Sequence, residues 1–257
     1  MKNEIPFVPE NSLVREIWGD ADFILLIFAG SAAEFALHKQ VDWLYFTGKL
    51  PKDPIKRLFS TVEYAAKIVF SSASKAQNAL SQINQIHHQV EVNRGSKIPN
   101  WAYLDVLSML IDYSIKSFEI WKRTLTQAEK EEIYEVFKNI ANGMQLHNLP
   151  DNYVAWEIKR VSNLENNYAY TRYTKNLFEQ YFKHLGWFRY WLLLQIQSQL
   201  LDPNLQKMLN ANPQPLAYPL IQIYKGLKYL KLEKHVKSLL IPKAHQSDFQ
   251  LLFATKT

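Results

Sequence analysis

The residues with the most chemical promise are an arginine, two hydroxyls and a histidine in neighbouring segments. Arg57 and Thr61 are four apart, so they share one face of a helix, and Ser60 lies one step before Thr61. Further on, Ala76, Leu80, Ile83, His87 and Val90 recur at steps of four, three, four and three, which turns His87 toward the core. His88 points about 100° away, so the two histidines cannot hold one ion in the usual i, i+4 manner. A buried imidazole can be a hydrogen-bonded structural group or an iron ligand. A buried guanidinium requires an acid, an anionic cofactor or a bound oxygen species, and Glu34, Asp42 and Asp53 are the acids that could satisfy Arg57 structurally. The remaining histidines offer less. His38 and His147 fall near helix ends, where a capping role suffices, while His184, His235 and His245 stand in lysine-rich or exposed-looking contexts with no second ligand at metal spacing.

The elements that must position these groups read as helices almost throughout. Apolar residues recur at three- and four-residue steps from Leu13 to Ile17, and Ile24 to Val41 is apolar nearly all round, which predicts a buried helix. Asp53-Pro54 predicts a sharp helix start ahead of Arg57, because Asp caps free N–H groups and Pro fits the first helical position. A short Ser-rich connection then leads to the His87 helix, about 73–92, followed by a loop over 93–100. Helices follow over 101–122, from Thr126 to about Gly143, and over 151–164, 171–185 and 187–201. Thr126 and Glu129 form a capping box, and the two helices flanking it should make an antiparallel hairpin. Beyond residue 201, Pro203, Pro213, Pro215 and Pro219 break the chain into shorter helices. With no repeat and no low-complexity linker, this predicts one all-α globular domain over 1–257, with globin-like packing around a central pocket and little or no strand.

Composition removes whole classes of chemistry. The chain of 257 residues is 47% hydrophobic, enough for a folded core, and contains no cysteine. Disulfides, thiolate-bound zinc, iron–sulfur clusters, covalently attached haem and a thiol nucleophile are therefore excluded. Only 7 glycines occur and none form a phosphate-cradling motif. The longest apolar run, Phe23 to Ala33, is too short for a span of about 20 residues and meets Glu34. Nor does Met1 to Pro6 resemble a secretory signal, so a cytoplasmic protein is expected.

The blocks Gly30-Ser31-Ala32-Ala33-Glu34-Phe35-Ala36-Leu37, Asp53-Pro54-Ile55-Lys56-Arg57-Leu58-Phe59-Ser60-Thr61 and Ile86-His87-His88-Gln89-Val90 resemble, in order and spacing, those of the MpaB-like oxygenases. That family includes the latex-clearing rubber oxygenases and the fungal oxygenase of mycophenolic acid synthesis. Leu110-Ile111-Asp112-Tyr113-Ser114, Leu125-Thr126 and Leu149-Pro150 extend the likeness over about residues 10–160. The resemblance implies an all-helical protein holding a non-covalent haem b. His87, from the H-x-x-V block, would be the axial iron ligand, and Arg57 and Thr61, from the R-x-x-x-T block, would be distal catalytic groups lining the cofactor with Ser60. It also implies dioxygen and a hydrophobic organic substrate as reactants. A distal guanidinium suits developing negative charge, and distal polarity separates oxygen binding from activation.

The chain departs from that pattern in three places. Rubber oxygenases can carry a lysine just before the threonine that closes the sixth iron position, and Ser60 stands there instead. Glu91-Val92-Asn93-Arg94 replaces the usual Gly and Tyr-containing loop, and the surroundings of Leu107 are apolar where many relatives have a further histidine. These departures keep open a haem-free helical binding protein on the same scaffold. Lysines 207, 225, 228, 231, 234, 237, 243 and 256, against Asp202, Glu233 and Asp248, hold most of the net +6 charge. They read as a solvated face or as a surface for an anionic partner or membrane. The aromatic stretch Tyr168, Tyr170, Tyr173, Tyr181, Phe182, Trp187, Phe188, Tyr190 and Trp191, interleaved with basic residues, reads as core or substrate pocket, and no nucleic acid is expected.

Overall fold

The computed structural model describes residues 4–211, 216–247, 249 and 250. Pro213, Pro215, Asp248 and Lys256 lie outside them. The helices are α1 (Leu13–Gly19), α2 (Ala21–Leu37), α3 (Asp42–Phe46), α4 (Lys49–Lys52), α5 (Pro54–Val69), α6 (Ala73–Arg94) and α7 (Asn100–Trp121). They continue with α8 (Gln127–Gly143), α9 (Tyr153–Asn166), α10 (Arg172–Leu200), α11 (Pro203–Met208), α12 (Ala217–Tyr229) and α13 (Glu233–Leu240), then a 3-10 turn at Lys243–His245. Extended pairing among the described residues is confined to isolated bridges, Pro6 with Ser72 and His38 with Tyr168.

The axis of the molecule is α2. Its apolar circumference is buried from Phe23 to Leu37, against α7 on one side and α10 on another. Burial of each Leu, Ile or Phe along it contributes about 1.5–3 kcal/mol. Gly30 lets α7 approach, because a Cβ there would meet the Tyr113 ring at 2.4 Å. Since α2 fills the middle, the cavity described below lies between helix ends rather than at the centre.

Local signals position the rest. Asp53 caps α5 by accepting from Lys56 N at 2.9 Å, with Pro54 in the first turn. The connection from α5 to α6 is held by the N-terminal segment: Phe7 N donates to Ser71 O at 3.0 Å and Ala73 N to Ile5 O at 2.9 Å. Both halves of the Thr126–Glu129 capping box form. Asn100, at the start of α7, exchanges hydrogen bonds with the His147 backbone beyond the end of α8, so the two helices run antiparallel. Gly186 has φ 73° and ψ 168°, non-helical values that interrupt α10 where the sequence predicts a break.

The C-terminal helices are fastened by the lysines that the sequence presents as surface charge. Lys228 Nζ donates to Asp22 Oδ2 at 2.5 Å, Lys237 pairs with Asp22 Oδ1 at 2.9 Å, and Lys225 donates to Ile120 O at 3.1 Å. Burial acts to raise the Asp22 pKa, but the two lysines outweigh it and hold the carboxyl below its ordinary value. Lys207, Lys231 and Lys243 remain exposed.

Candidate functional site

Arg57 sits in the first turn of α5, clamped along its own helix. Its Nη1 donates to Ser60 Oγ and Thr61 Oγ1, each at 3.0 Å, and both hydroxyls donate back to the Arg57 carbonyl at 2.7 and 3.3 Å. No carboxylate pairs with it among the described residues. Glu34 is taken by Arg160, Tyr113 and Tyr168, Asp42 by Arg94, and Asp53 by its capping role and His245. The structural explanation for Arg57, an ion pair with one of these acids, is therefore overturned. Burial lowers the Arg57 pKa, and a guanidinium still stays protonated.

His87 lies on the inward face of α6, which opens as the helix proceeds. Ala76 and Leu80 are fully buried, whereas Ile83, His87 and Val90 are half-buried. The buried half is seated on α8, where Gly143 leaves room for Leu80; a Cβ at Gly143 would meet it at 2.4 Å. Beyond that contact α6 borders a cavity of about 400 Å³. It is lined by Asn84, His87 and Glu91 of α6, Tyr103 of α7 and Leu146 beyond α8, with His88 also reaching it. Among the described residues no hydrogen bond engages either ring nitrogen of His87, which packs on Tyr103 at 5.0 Å. Burial and the Arg57 charge lower the His87 pKa to about 4, against a smaller upward pull from Glu91. The Arg57 charge is felt at His87, but no hydrogen bond or direct contact joins the two among the described residues, and burial leaves the imidazole neutral at physiological pH.

Glu91 explains one departure noted in the sequence. It follows His87 by one helical turn, and its Oε1 accepts from Ile98 N at 2.9 Å and Tyr103 Oη at 3.2 Å. The carboxylate thereby ties the 95–99 loop and α7 around the cavity. Gly95, at φ 70°, ends α6 and sends the chain into that loop. Tyr103 and the role of Glu91 were not legible in the sequence, because the contact depends on how the loop folds back. Leu107 is buried in the core.

Other residues resolve differently from expectation. His38 caps α2 but is also buried, with Nε2 3.3 Å from Asp105 Oδ2, so it belongs to a core network rather than a simple helix end. His245, read as exposed-looking, is buried. In the aromatic stretch, Tyr168 and Tyr181 are core, whereas Tyr170, Phe182 and Trp187 are exposed. That stretch is divided between interior and surface and does not form a single pocket lining.

A neutral imidazole with no protein hydrogen bond among the described residues has the donor chemistry of an iron ligand, while Arg57, Ser60 and Thr61 are not among the residues that line the cavity beside it. No helix among the described residues is long and apolar enough to cross a membrane. No curated protein and no solved structure matches the chain significantly. Residues 15–220 match the family described as ER-bound oxygenase mpaB/B'/Rubber oxygenase, catalytic domain, and with most of its length matched the chain belongs to that oxygenase family.

Proposed function

We propose that this protein is a haem b-dependent oxygenase that acts with dioxygen on a hydrophobic organic substrate. The observation that carries the reading is the pairing of an unengaged, neutral His87 with an acid-free Arg57 on the adjoining helix. When bound, non-covalent haem supplies the iron at which dioxygen is held and activated. His87 would hold its iron through the imidazole. Its depressed pKa keeps the nitrogen lone pair available well below neutral pH, so ligation does not compete with protonation. Arg57, oriented by Ser60 and Thr61, would supply a positive charge for an anionic group in the site. Thr61 and Ser60 set its position and contribute the nearest hydroxyls. Glu34 is not a free base in this reading, because its carboxylate already accepts three hydrogen bonds. A hydrophobic substrate is supported by the rubber named in the family description.

The test is hemin reconstitution of the purified protein. The wild type should develop a saturable Soret band that His87→Ala abolishes or shifts. A protein that stays colourless with excess hemin would contradict the proposal and favour the haem-free binding scaffold.

A further inference from the structure

A second cluster of ligand-type side chains lies at the other end of the Arg57 helix turn, where no short sequence spacing marks it. Asp53, His184 and His245 come from three separate segments, yet each offers one ligand atom within 4.8 Å of the other two. Asp53 is the cap of α5, His184 lies two residues before the non-helical Gly186, and His245 ends the 3-10 turn after α13. The shortest recorded approach, His245 Nε2 to Asp53 Oδ1, is 3.6 Å.

We propose that Asp53, His184 and His245 form a binding site for a divalent transition-metal ion, one that fastens the C-terminal segment to the start of α5. Two imidazoles and one carboxylate are a donor set for Zn²⁺, Fe²⁺, Co²⁺ or Ni²⁺, whereas Mg²⁺ and Ca²⁺ need oxygen ligands throughout. Ligand–metal distances near 2.0–2.2 Å place ligand atoms of one ion about 3–4 Å apart, so a contraction of up to about an ångström from the present separations closes the site.

The surroundings favour a charged centre here. No Lys or Arg pairs with Asp53 among the described residues, so its charge is not already neutralised by a basic side chain. On the opposite side the cluster is walled by apolar side chains. Phe59 meets the His245 ring edge-on at 5.9 Å, and Ile55, Ile241, Phe249 and Leu185 pack around Phe59. An apolar wall strengthens attraction between a cation and a carboxylate. The charge contact between His245 and Asp53 alone would account for two members of the cluster. His184 is the discriminating member: it is half-buried, faces the same point, and makes no hydrogen bond among the described residues. His87 and the cavity beside it contribute nothing to this donor set, so the site stands or falls independently of haem binding.

The experiment is a titration of the metal-stripped full-length chain with Co²⁺, followed by displacement with Zn²⁺. Visible d–d absorption should rise to one ion per chain, disappear on adding Zn²⁺, and be accompanied by a higher melting temperature. His184→Ala should fold normally and bind at least about tenfold more weakly. Asp53→Asn keeps the capping oxygen for Lys56 N and should lose the cobalt spectrum while retaining the helix. Absence of d–d absorption in the wild type would overturn the proposal. So would equal cobalt affinity in His184→Ala, and a signal removed by His87→Ala but not by His184→Ala would place the ion elsewhere.

Discussion

Two arginines in this molecule face opposite situations. Arg160 is buried beside α2, where its Nη2 donates to Glu34 Oε2 at 2.6 Å and Asp112 Oδ2 at 3.2 Å. Glu34, fully buried, also accepts from Tyr113 Oη at 2.7 Å and Tyr168 Oη at 2.8 Å. The charges are paired across the core: α2, α7 and α9 each contribute one, although Arg160 engages them through Nη2 alone and its Nε and Nη1 are buried without a hydrogen-bond partner. Arg57 is different. Among the described residues it meets two hydroxyls on its own helix and no carboxylate, and its charge is felt at an imidazole that no hydrogen bond there engages. Arg57 is half-buried, and a partly buried charge with no opposite charge beside it costs free energy, which supports the proposal that the group is held for a ligand.

The difference makes the first prediction the largest. Arg160→Met leaves Glu34 as a buried carboxylate without its cation, and should cost about 3–5 kcal/mol of stability, read from denaturant unfolding. A loss below about 1 kcal/mol would show that Glu34 does not depend on Arg160 for its compensating charge. Tyrosines at both Glu34 oxygens cannot replace the cation, since burial and the neighbouring Glu34 charge push their pKa values well above the ordinary range and keep them neutral.

A smaller effect belongs to the open region and depends on pH. The folded His87 pKa of about 4 lies below the unfolded value of 6.5, so between those limits the unfolded chain binds more protons. Stability contributed by neutral His87 is therefore present above pH 6.5 and is lost as pH falls toward 4. His87→Gln should flatten that part of the stability profile, while Arg160→Met should leave its shape intact. An unchanged slope in His87→Gln would mean that the imidazole is not held neutral by the fold.

Smaller still is the effect of loosening the clamp. Thr61→Val removes one of the two hydroxyls at Arg57 Nη1, a hydrogen bond with a net contribution of about 0.5–1.5 kcal/mol. Folding should change little, and hemin affinity should fall about two- to tenfold if the hydroxyl orients the guanidinium toward the cofactor. Equal hemin affinity in the variant would assign Thr61 to helix packing alone.

Much of the scaffold was legible in advance because its signals are local. Asp53-Pro54, the Thr126–Glu129 box and the Gly186 break each act within a few residues, and the His87 face follows from helical periodicity. The acid-free state of Arg57 was not legible, since it depended on Glu34 finding Arg160 across the core and Asp42 finding Arg94. The same limit hid the inward lysines at 225, 228 and 237, whose partners lie on α2, at Asp20 just before it, or at the end of α7. It also hid the convergence of Asp53, His184 and His245, because no short spacing records a contact between segments so far apart.

The central claim is that Arg57 is kept for a ligand and not for the fold. Arg57→Met, compared with wild type by denaturant unfolding and by hemin titration in the same preparation, tests it most directly. The account predicts a stability within about 1 kcal/mol of wild type, because no ion pair is lost, and hemin affinity reduced at least about tenfold. A stability loss of about 3 kcal/mol with hemin affinity unchanged would contradict it, and would place Arg57 beside Arg160 as a structural group.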